Sequence, residues 1–248
     1  MDPMHNQKIT ERLKDELKTV ARKNNREHTA LEVKCAALTP EEAIGTPEEM
    51  DYPIQKGRET MLEVTFMQHR GQAFTREIVR DRSYTLAEVL ELALDSDWKR
   101  AVLVATANAV FAHTGLIENT VHCRNRGPAE CAGYLPGITM NEKVALFGLQ
   151  PRFLEKLNAL GSVRCVDIDP DLIGTTPSGI EIEPPEKTAE LIAWADRILV
   201  TGSALVNDSF DRFIDTGKPT HVFGTTGAAV SYVCKLPRYC NADRVRAA

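Results

Sequence analysis

The pair His122-Cys123, with Cys131 eight residues further on, brings together side chains able to do chemistry. Thiolate and imidazole are soft and borderline ligands that hold zinc, iron, nickel or copper(I). They fall in a stretch, Asn119 to Gly137, that lacks periodicity and contains Pro128 and Pro136. Side chains there can converge without disturbing a core. The spacing is not an established finger pattern and no Cys-x-x-Cys pair occurs. Two other readings stay open: a surface histidine beside two half-buried thiols, or a Cys123 made reactive because Arg124 and Arg126 lower its pKa.

A second set of residues lies where short apolar runs end: Gly148-Leu149-Gln150, Asp167-Ile168-Asp169, Thr201-Gly202-Ser203 and Gly224-Thr225-Thr226-Gly227. In an open parallel sheet, ligands bind beyond such strand ends. The glycines let backbone approach a ligand, and the helix N-termini that follow favour negative charge. Asp167 and Asp169 stand where nucleotide-binding folds often place a carboxylate for ribose hydroxyls. Gly148 stands alone, however, without the spaced second and third glycines of the dinucleotide fingerprint. Asp167 and Asp169 ahead of Pro170 equally fit a plain turn. Ser203 has no base signalled for it, and no Gly-x-Ser-x-Gly elbow, Walker loop or His-Glu-x-x-His helix occurs.

The elements that must position these groups fall into two halves. Ile9, Leu13, Leu17 and Val20 predict an amphipathic helix. Leu31 to Ala37 and Leu62 to Phe66 predict strands, with Thr39 to Gly57 as a loop. His69 to Gln72 reads as a turn before a returning strand, Ala73 to Val79. Thr85 and Glu88 form a capping box ahead of a helix whose apolar stripe is Leu86, Val89, Leu90, Ala93 and Leu94. A further helix runs from about Asp97 to Thr114 and ends at Gly115. Residues 1–137 thus read as a small α+β domain with its joining helix and the Cys/His loop.

Residues 138–248 alternate strand and helix. Val144 to Phe147, Val163 to Ile168, Ile198 to Val200 and Thr220 to Phe223 are the strands. Pro151 to Gly161, Thr188 to Ala195 and Asp208 to Ile214 are the helices. That pattern predicts a Rossmann-like, mostly parallel open α/β sheet. Cys35 and Cys165 fall in strands and read as core, and Cys234 lies close to the C-terminus. His5 and His28 read as exposed, His221 as flanking a strand, and His113 as packed or exposed, within reach of the Cys123 loop.

The 248 residues are 43% hydrophobic and 26% charged, which excludes collagen-like and disordered chains. The formal charge is −5 and no segment concentrates Lys or Arg, so nucleic acid and acidic membrane surfaces are not expected partners. Ala101 to Val110 is too short to span a bilayer and contains Asn108. The polar start, Met1 to His5, lacks a secretory core. A cytoplasmic protein with reduced thiols is expected, which makes the six cysteines candidate ligands rather than a disulfide framework. A homo-oligomer is compatible with this size.

Thr201-Gly202-Ser203-Ala204-Leu205-Val206-Asn207-Asp208-Ser209-Phe210-Asp211 resembles the signature of the heavy-metal chelation domain family, a prokaryotic family without an agreed activity. The resemblance runs from about Lys143 to Cys240, and Leu31 to Val79 is similar to the enolase-N-terminal-like domain that often precedes it. It implies a Rossmann-like fold and likens His122, Cys123, Glu130, Cys131 and Arg238-Tyr239-Cys240 to residues of some members. On that likeness His122, Cys123, Cys131 and Cys240 would ligate a soft transition metal or a metal–sulfur cluster. The expectation is a metal-holding accessory protein. Its rival is an enzyme acting on a nucleotide-like or other small anionic ligand at Gly148, Asp167, Asp169, Gly202, Ser203, Asn207 and Gly224 to Gly227, with Cys123 as a nucleophile.

Overall fold

The computed structural model describes residues 7–24, 26, 29–34, 39–56, 59–77, 82–125, 127–133, 135 and 137–240. Helix α1 (Ile9–Lys23) buries Ile9, Leu13, Leu17 and Val20, the residues whose spacing predicts it. Strand β1 (Ala30–Lys34), β2 (Thr60–Phe66), β3 (His69–Thr75) and β4 (Arg82–Thr85) form an antiparallel sheet in the order β3-β2-β1-β4. Cys35 to Ala37, part of the predicted first strand, lie outside the described residues, as do His5, His28, Arg126 and Pro136.

Three expectations for this half need correction. His69 to Gln72 is not a turn. Phe66 pairs with His69, so the turn is Met67-Gln68, which carries none of the usual Gly or Asn signal even though Met67 has φ 58°. The segment Thr39 to Gly57 holds helix α2 (Pro40–Ile44), started by a Thr39–Glu42 capping box with proline in its first turn. Helix α3 (Leu86–Leu90) starts at the Thr85–Glu88 capping box but stops before Ala93 and Leu94.

Helix α4 (Asp97–His113) is buried on all sides from Arg100 to Phe111. It packs against the antiparallel sheet through β2 and β3, and against α1. Its small residues make this possible. A Cβ on Gly71 of β3 would lie 2.2 Å from the Ala105 carbonyl oxygen and 2.4 Å from the Ala109 amide. Gly115, at φ 72°, ends the helix as a left-handed cap. The loop that follows contains a helix with no periodic signal, α5 (Gly127–Ala132).

The remaining elements are β5 (Lys143–Phe147), α6 (Pro151–Leu160), β6 (Ser162–Val166), β7 (Ile182–Glu183), α7 (Thr188–Trp194), β8 (Arg197–Thr201), α8 (Ser203–Val206), β9 (Thr220–Phe223), α9 (Ala228–Cys234) and β10 (Arg238–Tyr239). Residues 210–213 form a 3-10 turn within the helix predicted for Asp208 to Ile214. The two-residue edge strands β7 and β10 are too short to show a pattern. All pairings are parallel, in the order β10-β9-β8-β5-β6-β7. This is the doubly wound Rossmann order, and its reversal point lies between β5 and β8.

One core cluster joins the two sheets, running from Leu13 and Phe66 through α4 to Ile198 and Val222. At its centre is Asn108, 0% exposed. Its amide nitrogen donates to the carbonyls of Gln72 (2.9 Å), Thr225 (3.3 Å) and Thr226 (3.5 Å), and its oxygen accepts from the Ala229 amide (2.8 Å). Arg100 is a second tie, donating to Val206 O (2.6 Å) and Leu94 O (2.7 Å). An Asn108→Leu substitution keeps the bulk and leaves these backbone groups unpaired. It should cost about 3 kcal/mol or more in urea unfolding, whereas a loss within about 0.5 kcal/mol would show that the joint does not depend on this amide.

Candidate functional site

The reversal point opens into a cleft with two adjoining chambers, each of about 120 Å³. They share a wall made of Pro53, Glu59, Phe74, Leu149, Thr201 and Ser203. The carboxylate-side chamber takes in Gly148, Asp167, Asp169 and Asn207, and the thiol-side chamber takes in His122, Gly224, Thr225 and Thr226. Most strand-end residues picked out in the sequence therefore do meet at one cleft, between the two sheets.

Several of them are occupied with holding the chain. The Asp167 carboxylate accepts the amides of Leu149 (2.7 Å) and Asp169 (2.9 Å), and Asp169 accepts that of Asp171 (3.1 Å). Asn207 accepts from the Ser209 amide and hydroxyl. Gly202 and Gly227 line neither chamber and press on each other. A Cβ on Gly202 would fall 2.0 Å from the Gly227 nitrogen, so these glycines serve close packing rather than ligand approach. Gly148, at φ 91°, lies against the Thr201 side chain, which a Cβ would meet at 2.5 Å. The first helix turn after β5 offers few free amides to a phosphate. Gln150 accepts the Phe153 amide with its own side chain, and Pro151 has no amide to offer.

Glu59 was not singled out from the sequence, where nothing marks it among neighbouring charges. The fold places its carboxyl in the shared wall, and burial, reinforced by Asp167, pushes its pKa up to about 7 despite the opposing pull of Arg76. Tyr52 and Thr225, 6% and 2% exposed, line the thiol-side chamber with hydroxyls that have no hydrogen-bond partner among the described residues.

The Cys/His loop is pinned on three sides. Arg238 donates to the carbonyls of Glu118 (2.5 Å), Asn119 (3.1 Å) and Gly224 (3.3 Å). Gln72 of β3 accepts the His122 amide (2.7 Å) and donates its own amide to Thr120 O (2.9 Å). Asn125 donates its amide to Ile44 O (2.7 Å), and Arg124 donates to the carbonyls of Glu41 and Glu42. Arg124 thus serves as an anchor. Cys123 is not activated by it: hydrogen bonding to Cys131 and burial push the Cys123 thiol well up, with further contributions from Cys131 and Cys240. Neither the lowered pKa nor a thiolate nucleophile at Cys123 fits that environment.

The Cys123 and Cys131 side chains are therefore close enough to influence one another, with Cys240 near enough to act electrostatically. The Cys240 thiol also faces Asn119 O at 3.9 Å. His122 Nδ1 lies 2.6 Å from Cys123 O; a carbonyl only accepts, so Nδ1 carries the proton. Its distance to Cys123 Sγ is 4.0 Å. The donor set suits a soft ion, but among the described residues no three His, Cys, Asp or Glu side chains stand in a ready-made metal-holding group. Closing a shell on an ion requires side-chain movement around the Cys123–Cys131 pair.

The other candidates lie elsewhere. Cys165 is fully buried, and burial raises Cys234, on α9, to about 11. His221 is within β9 and stacks on Tyr239 at 5.1 Å. His113 does not face the Cys123 loop. It meets His69 at 3.3 Å between Nδ1 atoms, and burial with His69 and Arg26 lowers its pKa.

The described chain is thus a Rossmann-like α/β protein with a cleft at its reversal point, and no described helix is long and apolar enough to cross a membrane. Residues 135–241 match the DUF364 family model, described as "Putative heavy-metal chelation", in agreement with the resemblance carried by Thr201 to Asp211. Similar solved structures include a DUF364 protein of unknown function from Pyrococcus horikoshii. It is 15% identical, with a TM-score of 0.56 over 88% of this chain and 80% of that one. Another, from Desulfitobacterium hafniense DCB-2, also of unknown function, is 10% identical with a TM-score of 0.53 over 87% and 79%. At these identities the likeness is one of fold. No curated protein matches the chain in sequence.

Because the folded pKa of Glu59 lies above its ordinary value of 4.5, its contribution to stability is fully present below pH 4.5 and lost as pH rises through about 7. Wild-type stability should therefore fall between those values relative to Glu59→Gln, measured by urea unfolding across pH. Parallel profiles for the two proteins would contradict the burial of this carboxyl.

Proposed function

We propose that the chain holds or hands on a thiophilic metal, as a single ion or a metal–sulfur cluster, at Cys123, Cys131, Cys240 and His122. The observation that carries this reading is that Cys123 and Cys131 lie within each other's influence on a loop that Arg238 and Gln72 fix in place. Cys240 follows Arg238 and Tyr239 immediately, so the same arginine that pins the loop brings the third thiol toward it. The description attached to the matching family supports it as well. In this reading residues 1–137 and 138–248 act as two domains and the ion sits at their junction.

Thiols held protonated without metal must lose their protons to ligate, so uptake releases protons and weakens at low pH. His122, already donating through Nδ1 to Cys123 O, would orient the loop or ligate through Nε2. A site that must move to close suits an ion that is loaded and released.

A second reading is favoured by the cleft at the reversal point, where Glu59 stands in the wall that both chambers share. There the chain would be an enzyme acting on a small molecule, with Glu59 exchanging a proton and the hydroxyls of Ser203 and Thr225 positioning the ligand. This reading predicts that a metal-free protein is protected in its parallel sheet on adding a nucleotide.

The deciding experiment measures metal and sulfide in protein purified anaerobically without a metal-binding tag, then reconstituted with zinc(II), copper(I), or iron and sulfide. Wild type should carry near-stoichiometric metal. Cys123→Ser and Cys131→Ser should lose most of it, and Cys240→Ser should weaken retention, with Cys234→Ser as the unaffected control. Folding is checked by circular dichroism. No metal in wild type after all three reconstitutions would overturn the proposal.

A further inference from the structure

At the end of the α4–β3 contact far from the thiols, two imidazoles meet. His113 is the last residue of α4 and His69 the first of β3. Their Nδ1 atoms are 3.3 Å apart, with ring planes at 74° and centroids 5.1 Å apart. His113 is held from behind by the edge contact with Phe66, at 5.3 Å. Both positions are fixed by regular structure rather than by a loose loop.

We propose that His69 and His113 form a metal site of their own, for a borderline divalent ion such as nickel(II) or zinc(II). The bite fits. Imidazole–metal bonds of about 2.0–2.1 Å hold two nitrogens about 3.3–3.4 Å apart at the tetrahedral angle of zinc(II) and about 2.9 Å apart at the right angle nickel(II) favours, which a small rotation of the exposed His69 ring reaches. Without metal, one Nδ1 must be an N–H and the other its acceptor. An ion takes the place of that shared proton, and both rings then carry their hydrogen on Nε2, the neutral form in which imidazole ligates.

No carboxylate or thiol completes the site among the described residues, and the charged group that His113 senses besides His69 is Arg26. Water would fill the remaining positions, so the ion is held reversibly. Position gives the site a use. The segment Thr120 to His122 runs along β3, with Thr120 bonded to Arg70 and His122 bonded to Gln72 and packed edge-on to Phe74. From His69 to Phe74 is five residues of strand, about 17 Å. The imidazole pair thus stands on the same strand edge that leads to Cys123. Its binding stands on its own geometry, whether or not the thiols take metal.

The test is nickel(II) titration of the full chain, followed by calorimetry and near-ultraviolet absorption, in wild type, His69→Ala, His113→Ala and His113→Gln. The glutamine variant keeps a hydrogen-bonding group but cannot chelate with its neighbour. Each variant should weaken one class of nickel(II) binding by at least about tenfold, while thiolate-to-nickel charge-transfer absorption stays as in wild type. Nickel(II) binding unchanged in all three variants would overturn the proposal, as would a wild type whose only nickel(II) site is the thiolate one. A missing charge-transfer band would count against the thiol site alone. Both side chains are partly or fully exposed, and circular dichroism confirms that the variants fold.

Discussion

The side-chain amide of Asn108 is the joint on which this architecture turns. An unpaired amide inside a helix buried on all sides would be costly, and Asn108 avoids that cost by bonding to backbone on both sides of α4 at once. Gln72 belongs to the edge strand of the antiparallel sheet, while Thr225, Thr226 and Ala229 form the turn and first residues after β9. The same amide therefore fixes the distance between β3 and the strand ends of the parallel sheet. Thr226 adds to this by accepting the Phe74 amide at 3.2 Å.

Everything at the cleft follows from that spacing. Phe74 and Glu59 come from the antiparallel side, Gly148, Thr201 and Ser203 from the reversal point, and neither set alone encloses a volume. Gln72 connects the joint to the chemistry. Its carbonyl accepts from Asn108 while its side chain accepts the His122 amide, so one residue of β3 ties the core to the Cys/His loop. Arg238 closes the arrangement from the other side, with three carbonyls drawn to one guanidinium.

Much of this was legible in the sequence because it rests on local rules. The apolar spacing of Ile9 to Val20, the Thr85–Glu88 capping box, Gly115 and the apolar runs of β5, β8 and β9 each announce themselves within a few residues. What was not legible depends on partners far along the chain. Glu59 is an ordinary carboxylate until the fold sets it beside Asp167. Gly202 and Gly227 look like ligand-binding glycines until their mutual approach is seen. Arg124 beside Cys123 looked like an activating cation, yet its guanidinium is spent on the carbonyls of α2. The edge strand β10, two residues long, could be placed only by its parallel neighbour. For the thiols, sequence supplied the candidates, and the fold brought Cys123, Cys131 and Cys240 within one another's influence.

Metal holding at this junction depends on these thiols becoming ligands. X-ray absorption at the zinc edge, on protein loaded with one equivalent of zinc(II), tests it most directly, since sulfur and nitrogen scatterers separate by distance. A sulfur shell at about 2.3 Å that shrinks in Cys131→Ser is expected. A shell made only of nitrogen or oxygen at about 2.0–2.1 Å, unchanged in that variant, would contradict it.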